Sequence, residues 1–325
     1  MIARLRYNPR FMASAVLLVV VLIFALLGPL IPGHDPFKVV GGLFNSPSGS
    51  HWLGTDNFGH DVLSQLMAGT RTSLIIGLIA GAVATVIGVA LGTAAGFKGG
   101  VLEEVLMGIT NVIISIPAIV ILILLSVALS NRSIVTMALI IGVVSWPWLA
   151  RAVRAQASSL RTREHVDIAR LSGAGSVRLI VFEVIPYMLS YVSMAFVLQL
   201  AGAILTEAGL SLLGLGPANV ISLGIMLHWA LLWESVRTGA WWAFVPPTIM
   251  LTLIAFALFM LQSSLDELFN PRLRRGAPRR RPAVAPVAPA AAPIPVSTPA
   301  STPTASAMSG PAAATDTDAI RGVRQ

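Results

Sequence analysis

The sequence predicts an all-α polytopic membrane protein. Three observations carry that prediction: an apolar, charge-poor composition, six apolar runs of spanning length, and a lopsided distribution of Lys and Arg between the loops. Hydrophobic residues make up 55% of the 325 and charged ones 11%, and the mean hydropathy is +0.81. A soluble domain carries about 25% charge. The formal net charge of +8 sits beside the apolar runs and in the C-terminal tail. No basic groove interleaved with aromatics is present, so no nucleic-acid partner is expected. The absence of cysteine excludes disulfides and thiolate metal sites.

A spanning helix needs about 20 mostly apolar residues. The runs that meet this cover about 11–31, 73–97, 108–129, 133–153, from near Pro186 past Gln199, and 243–264. The first follows Arg4, Arg6 and Arg10, as a signal peptide would. It is too long for an h-region, however, and no small-x-small cleavage site follows, so it reads as an uncleaved span. Orientation comes from basic residues in short loops. Arg4, Arg6, Arg10, Lys98, Arg151, Arg154, Arg161, Arg163, Arg170, Arg178, Arg272, Arg274 and Arg275 fall on one side; Lys38, Arg71, Arg132 and Arg237 fall on the other. Six crossings with both termini in the cytoplasm satisfy this distribution, and an odd number would not.

The expected organisation is an N-terminal helix with a long external loop (1–70), a five-helix core (71–270) and a tail (271–325). Trp229, Trp233, Trp241 and Trp242 suit an interfacial aromatic belt. The tail, rich in Pro, Ala, Ser and Thr, cannot bury a core and is expected to be disordered. Arg279, Arg280 and Arg281 would lie near anionic membrane lipid.

No self-contained catalytic site is legible. Nothing matches the phosphate-binding loop G-x-x-x-x-G-K-[ST], and GTAAGFKG around Lys98 has the wrong spacing. No G-x-S-x-G elbow organises the serines. His51, Asp56, His60 and Asp61 fit no standard metal-ligand spacing and read as loop polarity. Glu207 ends the fifth apolar run and has two readings: a functional ionisable group at membrane depth, or a helix-end carboxylate packed on the outer loop. Asn111, Ser115 and Gln199 read as interhelical hydrogen-bonding groups. Together with Thr206 and Glu207 they are also the candidates for lining a path.

Between the fourth and fifth runs lies DIARLSGAGSVRLIVFEVIP, residues 167–186. Thr162 is an expected N-cap, with Glu164 in the first turn where the helix dipole favours an anion. Gly173 falls where a left-handed C-cap is wanted. Ser176 is expected to cap a second helix, VRLIVFEVI, ending near Pro186. Two short helices with a corner at 172–175 suggest a docking surface; a connector packed under its own bundle is the plainer alternative.

This segment resembles the EAA loop of ATP-binding-cassette importer permeases: Glu-Ala-Ala, Gly six residues after the Glu, Pro nineteen after it. Asp167 stands at the Glu, Ile168 at the first Ala, Ala169 at the second, Gly173 at the Gly followed by Ala174, and Pro186 at the Pro. HWLGTDNFGHDVLSQLMAGTRTSLIIG (51–77) and ILTEAGLSLLGLG (204–216) are similar to segments of the dipeptide, oligopeptide and nickel importer permeases, with His60 where Arg is common. The resemblance covers about 1–275 and points to the "C"-type permease. It implies a type I importer arrangement with six spans, a homologous second permease, two ATPase subunits that receive the 162–186 loop and its counterpart on that second permease, and an outer substrate-binding protein. ATP and Mg would be held by the ATPases, leaving this chain without cofactor or catalysis. A secondary transporter, a membrane-embedded enzyme or a non-transporting scaffold are the rival readings.

Overall fold

The computed structural model describes residues 9–28, 35–129 and 132–269. The described residues form one compact unit. The tail, the basic residues Arg4, Arg6, Arg272, Arg274 and Arg275, and Arg279–Arg281 lie outside the described residues. The order is α1 (Pro9–Leu27), α2 (Val62–Lys98), α3 (Gly100–Ser115), α4 (Ala118–Ala128), α5 (Ile134–Ser145), α6 (Pro147–Arg161), α7 (Glu164–Leu171), α8 (Ser176–Leu179), a π turn (Ile180–Val184), α9 (Ile185–Leu212), α10 (Leu223–Leu232) and α11 (Trp241–Phe269). Among the described residues there is no strand, only two isolated bridges, Val39 to His60 and Thr55 to Asp61.

Four helices are long and apolar enough to cross a membrane: α1, α2, α8 through α9, and α11. The other two expected spans are bent pairs. The third run breaks by 84° between α3 and α4, and the fourth by 47° between α5 and α6. Proline causes both breaks. Pro117 holds Ile116 in extended backbone, at φ −94° and ψ 128°, as a residue before proline prefers. Pro147 opens α6 without an N–H to donate back into α5.

The structure also corrects three boundaries. Helix α2 begins at Val62, where Asp61 caps it by accepting from the Ser64 amide at 2.9 Å; residues 62–70 therefore belong to the helix and not to the external loop. The fifth span starts at Ser176 and reaches Leu212. It runs through Pro186 because the π turn sends the Ile185 N–H to the Ile180 carbonyl, and this wider register absorbs the donor that Pro186 lacks. The sixth span extends over Trp241–Phe269.

Helix α2, 37 residues and about 55 Å long at 1.5 Å per residue, is the mast of the fold and packs on α5, α6 and α9. Close approach to α6 depends on Gly92 and Gly96, where a Cβ would lie 2.5 Å and 2.4 Å from the carbonyl oxygens of Ala150 and Arg154. Small residues at such faces are what let membrane helices pack without an aqueous hydrophobic drive.

Each end of the mast has its own core. At the Val62 end, Val21, Leu66, Ile204, Leu223 and Ile254 cluster. At the Lys98 end, Phe97, Leu149, Val153, Val166, Leu179 and Val184 cluster. The loop at 35–61 folds over the first end, held by Val40 N–H to Gly59 O at 2.9 Å, Thr55 N–H to Asn45 O at 3.0 Å, and Trp242 Nε1 to Thr55 O at 3.0 Å. Arg10 at the start of α1 meets Glu267 near the end of α11 at 2.8 Å, which brings those two helix ends together.

Candidate functional site

The chain between α6 and α9 forms a hook at the Lys98 end of the mast. Thr162 closes α6 (φ −99°, ψ 16°) and is not the N-cap of α7. That position belongs to Arg163, whose extended backbone turns the chain without a side-chain cap. The correction is geometric, since the chain needs one extended residue to change direction and Thr162 is still completing the last turn of α6. Helix α7 ends as expected at Gly173, with φ +85°. The Gly173 N–H donates to Arg170 O at 3.0 Å and the Ala174 N–H to Ala169 O at 3.1 Å, the paired bonds of a Schellman motif. Ser176 is not a cap either. Gly175, extended at φ −70° and ψ 159°, precedes α8, so Ser176 is already the first helical residue.

The hook's inner face anchors it. Val166 and Leu179 are fully or almost fully buried, and Ala169 and Ala174 pack on the same core. The His165 ring stacks on Tyr187, centroids 4.2 Å apart, linking α7 to the first turn of α9. The outer face carries Glu164, Asp167 paired with Arg170 at 3.0 Å, and a group of exposed apolar side chains. Leu171 is 89% exposed, Val177 74%, Phe182 68% and Ile168 65%. Pro186 is exposed beside them.

The path candidates separate into two environments. Asn111 and Ser115 are exposed on α3; Asn111 Oδ1 accepts from Arg151 at 2.8 Å, and the Ser115 hydroxyl donates to Asn111 O. Asn111 and Arg151 border a cavity of about 510 Å³ with Glu103, Glu104 and Arg154, where Arg154 pairs with Glu103. Thr206 is half-buried on α9. Gln199 is buried between helices, accepting from Trp148 Nε1 at 3.2 Å and donating to Ser145 O at 3.0 Å. Glu207 is wholly enclosed. Its carboxylate accepts from Ser73 at 2.9 Å and Ser211 at 2.7 Å, and Ser73 Oγ in turn accepts the Leu223 N–H at 3.2 Å. Thus Glu207 ties α2, α9 and the start of α10 together. The outer-loop polar residues are likewise engaged internally. Asp56 accepts from Gln65 and the His60 backbone, and Asp61 caps α2 with His51 at 3.4 Å.

Sequence reasoning missed the serine cage, because Ser73 and Glu207 lie 134 positions apart. It also missed the glycine face of α2, although the four-residue spacing of Gly88, Gly92 and Gly96 was there to be read.

Comparison with known proteins now bears on this geometry. Residues 88–275 match the family described as binding-protein-dependent transport system inner membrane component. Residues 1–47 match the N-terminal TM domain of oligopeptide transport permease C. The chain is 32% identical over 274 residues to the dipeptide transport system permease protein DppC of Bacillus subtilis, covering 84% of this chain and 85% of that one. It is 30% identical over 276 residues to the oligopeptide transport system permease protein OppC of the same organism, covering 84% and 88%. It is also 30% identical over 269 residues to OppC of Mycobacterium tuberculosis, covering 81% and 91%. The inward-facing MetNI methionine ABC transporter aligns over 62% of this chain and 95% of its own, with 21% identity and a TM-score of 0.47. By the extent of the family match and the relatives that share four-fifths of its length, this chain belongs to the binding-protein-dependent transport system inner membrane components and is a multi-pass inner-membrane permease subunit of an ATP-binding-cassette importer.

Proposed function

We propose that this permease forms half of a translocation path for short peptides and receives its driving motion through the 162–186 loop that carries the hook. Peptide cargo is inferred from the relatives named for dipeptide and oligopeptide transport. The second half of the path would come from a homologous permease, the force from two ATPase subunits that hold ATP and Mg, and the cargo from an extracytoplasmic binding protein. The hook end lies in the cytoplasm in this reading, because Lys98, Arg151, Arg154, Arg161, Arg163, Arg170 and Arg178 collect there.

The observation that carries the proposal is the contrast between the two faces of the hook. Its inner face is locked into the core by Val166 and Leu179, while Leu171, Ile168 and Val177 stand exposed on the other. A helix corner that is rigid and apolar outward is suited to seating in a groove of a second chain. Glu164, Asp167, Ile168, Ala169, Gly173, Ala174 and Pro186 would together set its shape and contacts. ATPase closure would then push α7, and the His165–Tyr187 stack and the α8–α9 helix would carry that displacement into the spans. Asn111, Ser115 and Thr206 remain the path candidates with exposed or half-exposed side chains; Gln199 and Glu207 would act behind them as braces.

Gly173→Leu tests the assignment. No atom lies within 4 Å of a Cβ at this position, so the substitution strains only the left-handed backbone, by about 1–2 kcal/mol. The variant should insert and fold but lose ATP-driven peptide uptake in proteoliposomes. Uptake at the parental rate would refute the coupling role.

A further inference from the structure

A second cavity, at the opposite end of the mast from the hook, has no role in the coupling reading. It holds about 480 Å³, within the range of roughly 300–1,000 Å³ common for small-molecule sites. Phe37, Phe58, Ile225, Met226 and Trp229 give it apolar walls. Asp56 and Arg132 are its carboxylate and its guanidinium, beside the polar Asn57, His60, Gln65, Ser211, Asn219 and His228.

Asp56 is already spent. Its Oδ1 accepts the amides of Phe58 and His60, both at 2.8 Å, and its Oδ2 accepts from Gln65 Nε2 at 2.7 Å and contacts the His60 ring at 3.2 Å. It offers nothing to a ligand cation. Asn57 is 6% exposed, and its Nδ2, unpaired among the described residues, is closed off from the cavity. Arg132 is half-buried and donates one N–H to Gly214 O at 3.2 Å. Among the described residues no carboxylate lies within ion-pairing distance of it. Its guanidinium has five N–H donors and a fixed charge. With Asp56 turned to internal partners, Arg132 is the lining charge that still has donors to offer.

We propose that this cavity binds the carboxylate of a small solute with an apolar side chain, Arg132 donating to its oxygens. A short peptide with a free C-terminus has this chemistry, and that identification rests on the peptide reading above. A medium-chain fatty acid shares it and is the other source.

The test uses the full-length chain in lipid nanodiscs, with no ATPase and no transport, so its failure would leave the coupling proposal standing. Binding of the dipeptide Ala-Leu, its C-terminal amide and octanoate is measured by calorimetry. Ala-Leu should bind, and the amide should bind at least about tenfold more weakly, the factor lost with a charge-assisted hydrogen bond. Arg132→Gln should abolish the difference between acid and amide at an unchanged melting temperature, and Arg132→Lys should keep part of it. Octanoate binding as well as Ala-Leu would uphold the carboxylate site and assign it to an apolar acid. Equal affinity for acid and amide, or no binding of any of the three probes by the folded parent, would overturn the proposal.

Discussion

At Gly92 the backbone of α2 comes so near α6 that a single methyl group would lie 2.5 Å from the Ala150 carbonyl oxygen and 2.8 Å from Val153 Cβ. Neither neighbour is a flexible tip that could swing away, so Gly92→Ala should destabilise the bundle by about 1–3 kcal/mol, as overpacking does. Gly108→Ala is the matched control, because its Cβ meets nothing within 4 Å on exposed α3; it should be neutral or gain about 0.5–1 kcal/mol from helix propensity. Melting of the purified permease in detergent distinguishes the pair, and similar melting temperatures would mean that α2 and α6 do not approach this closely. Glu207 makes a second prediction at the same scale. Removing its carboxylate in Glu207→Ala leaves the Ser73 and Ser211 hydroxyls without their acceptor in a fully buried site, a loss of about 1–3 kcal/mol. Glu207→Gln retains an acceptor and should lose less. An alanine variant that melts with the parent would remove Glu207 from the frame of the fold.

Among the elements, the hook separates stability from function most cleanly. Leu171 is 89% exposed at the end of α7, so Leu171→Asp should change the chain's own stability by no more than about 0.5 kcal/mol. Placed in an apolar docking contact, the same charge would be desolvated without a partner, so recovery of the ATPase subunits with the tagged permease should fall. Undiminished recovery would place the contact elsewhere. The hook's glycine corner was legible in the sequence because a left-handed C-cap is a local requirement that one residue meets. Its caps were not, because Arg163 and Gly175 serve through backbone conformation alone. The bends at Pro117 and Pro147 were hidden in a different way. Both prolines sit in apolar runs of the right total length, and hydropathy does not register a missing N–H.

For the whole molecule the decisive question is which end faces the cytoplasm. The chain has no cysteine, so single introduced cysteines report sidedness without background. Ser50 lies exposed in the loop end, and Ser159 lies exposed at the end of α6 next to the hook. A membrane-impermeant maleimide should label Ser50→Cys on intact spheroplasts and Ser159→Cys only after permeabilisation; the opposite pattern would invert the proposed topology. Apolar composition and run length determined by themselves that this is a helical, multi-pass chain, since hydrocarbon tolerates no unsatisfied backbone and span length is set by bilayer thickness. Only the tertiary structure decided that α2 starts eleven residues before its apolar run, and that Glu207 meets Ser73 across 134 positions. It also showed that Phe37, Asp56, Arg132 and Trp229 border one cavity. Those facts depend on which helix faces cross at which depth, and side-chain contact between distant segments leaves no periodic trace in either segment alone.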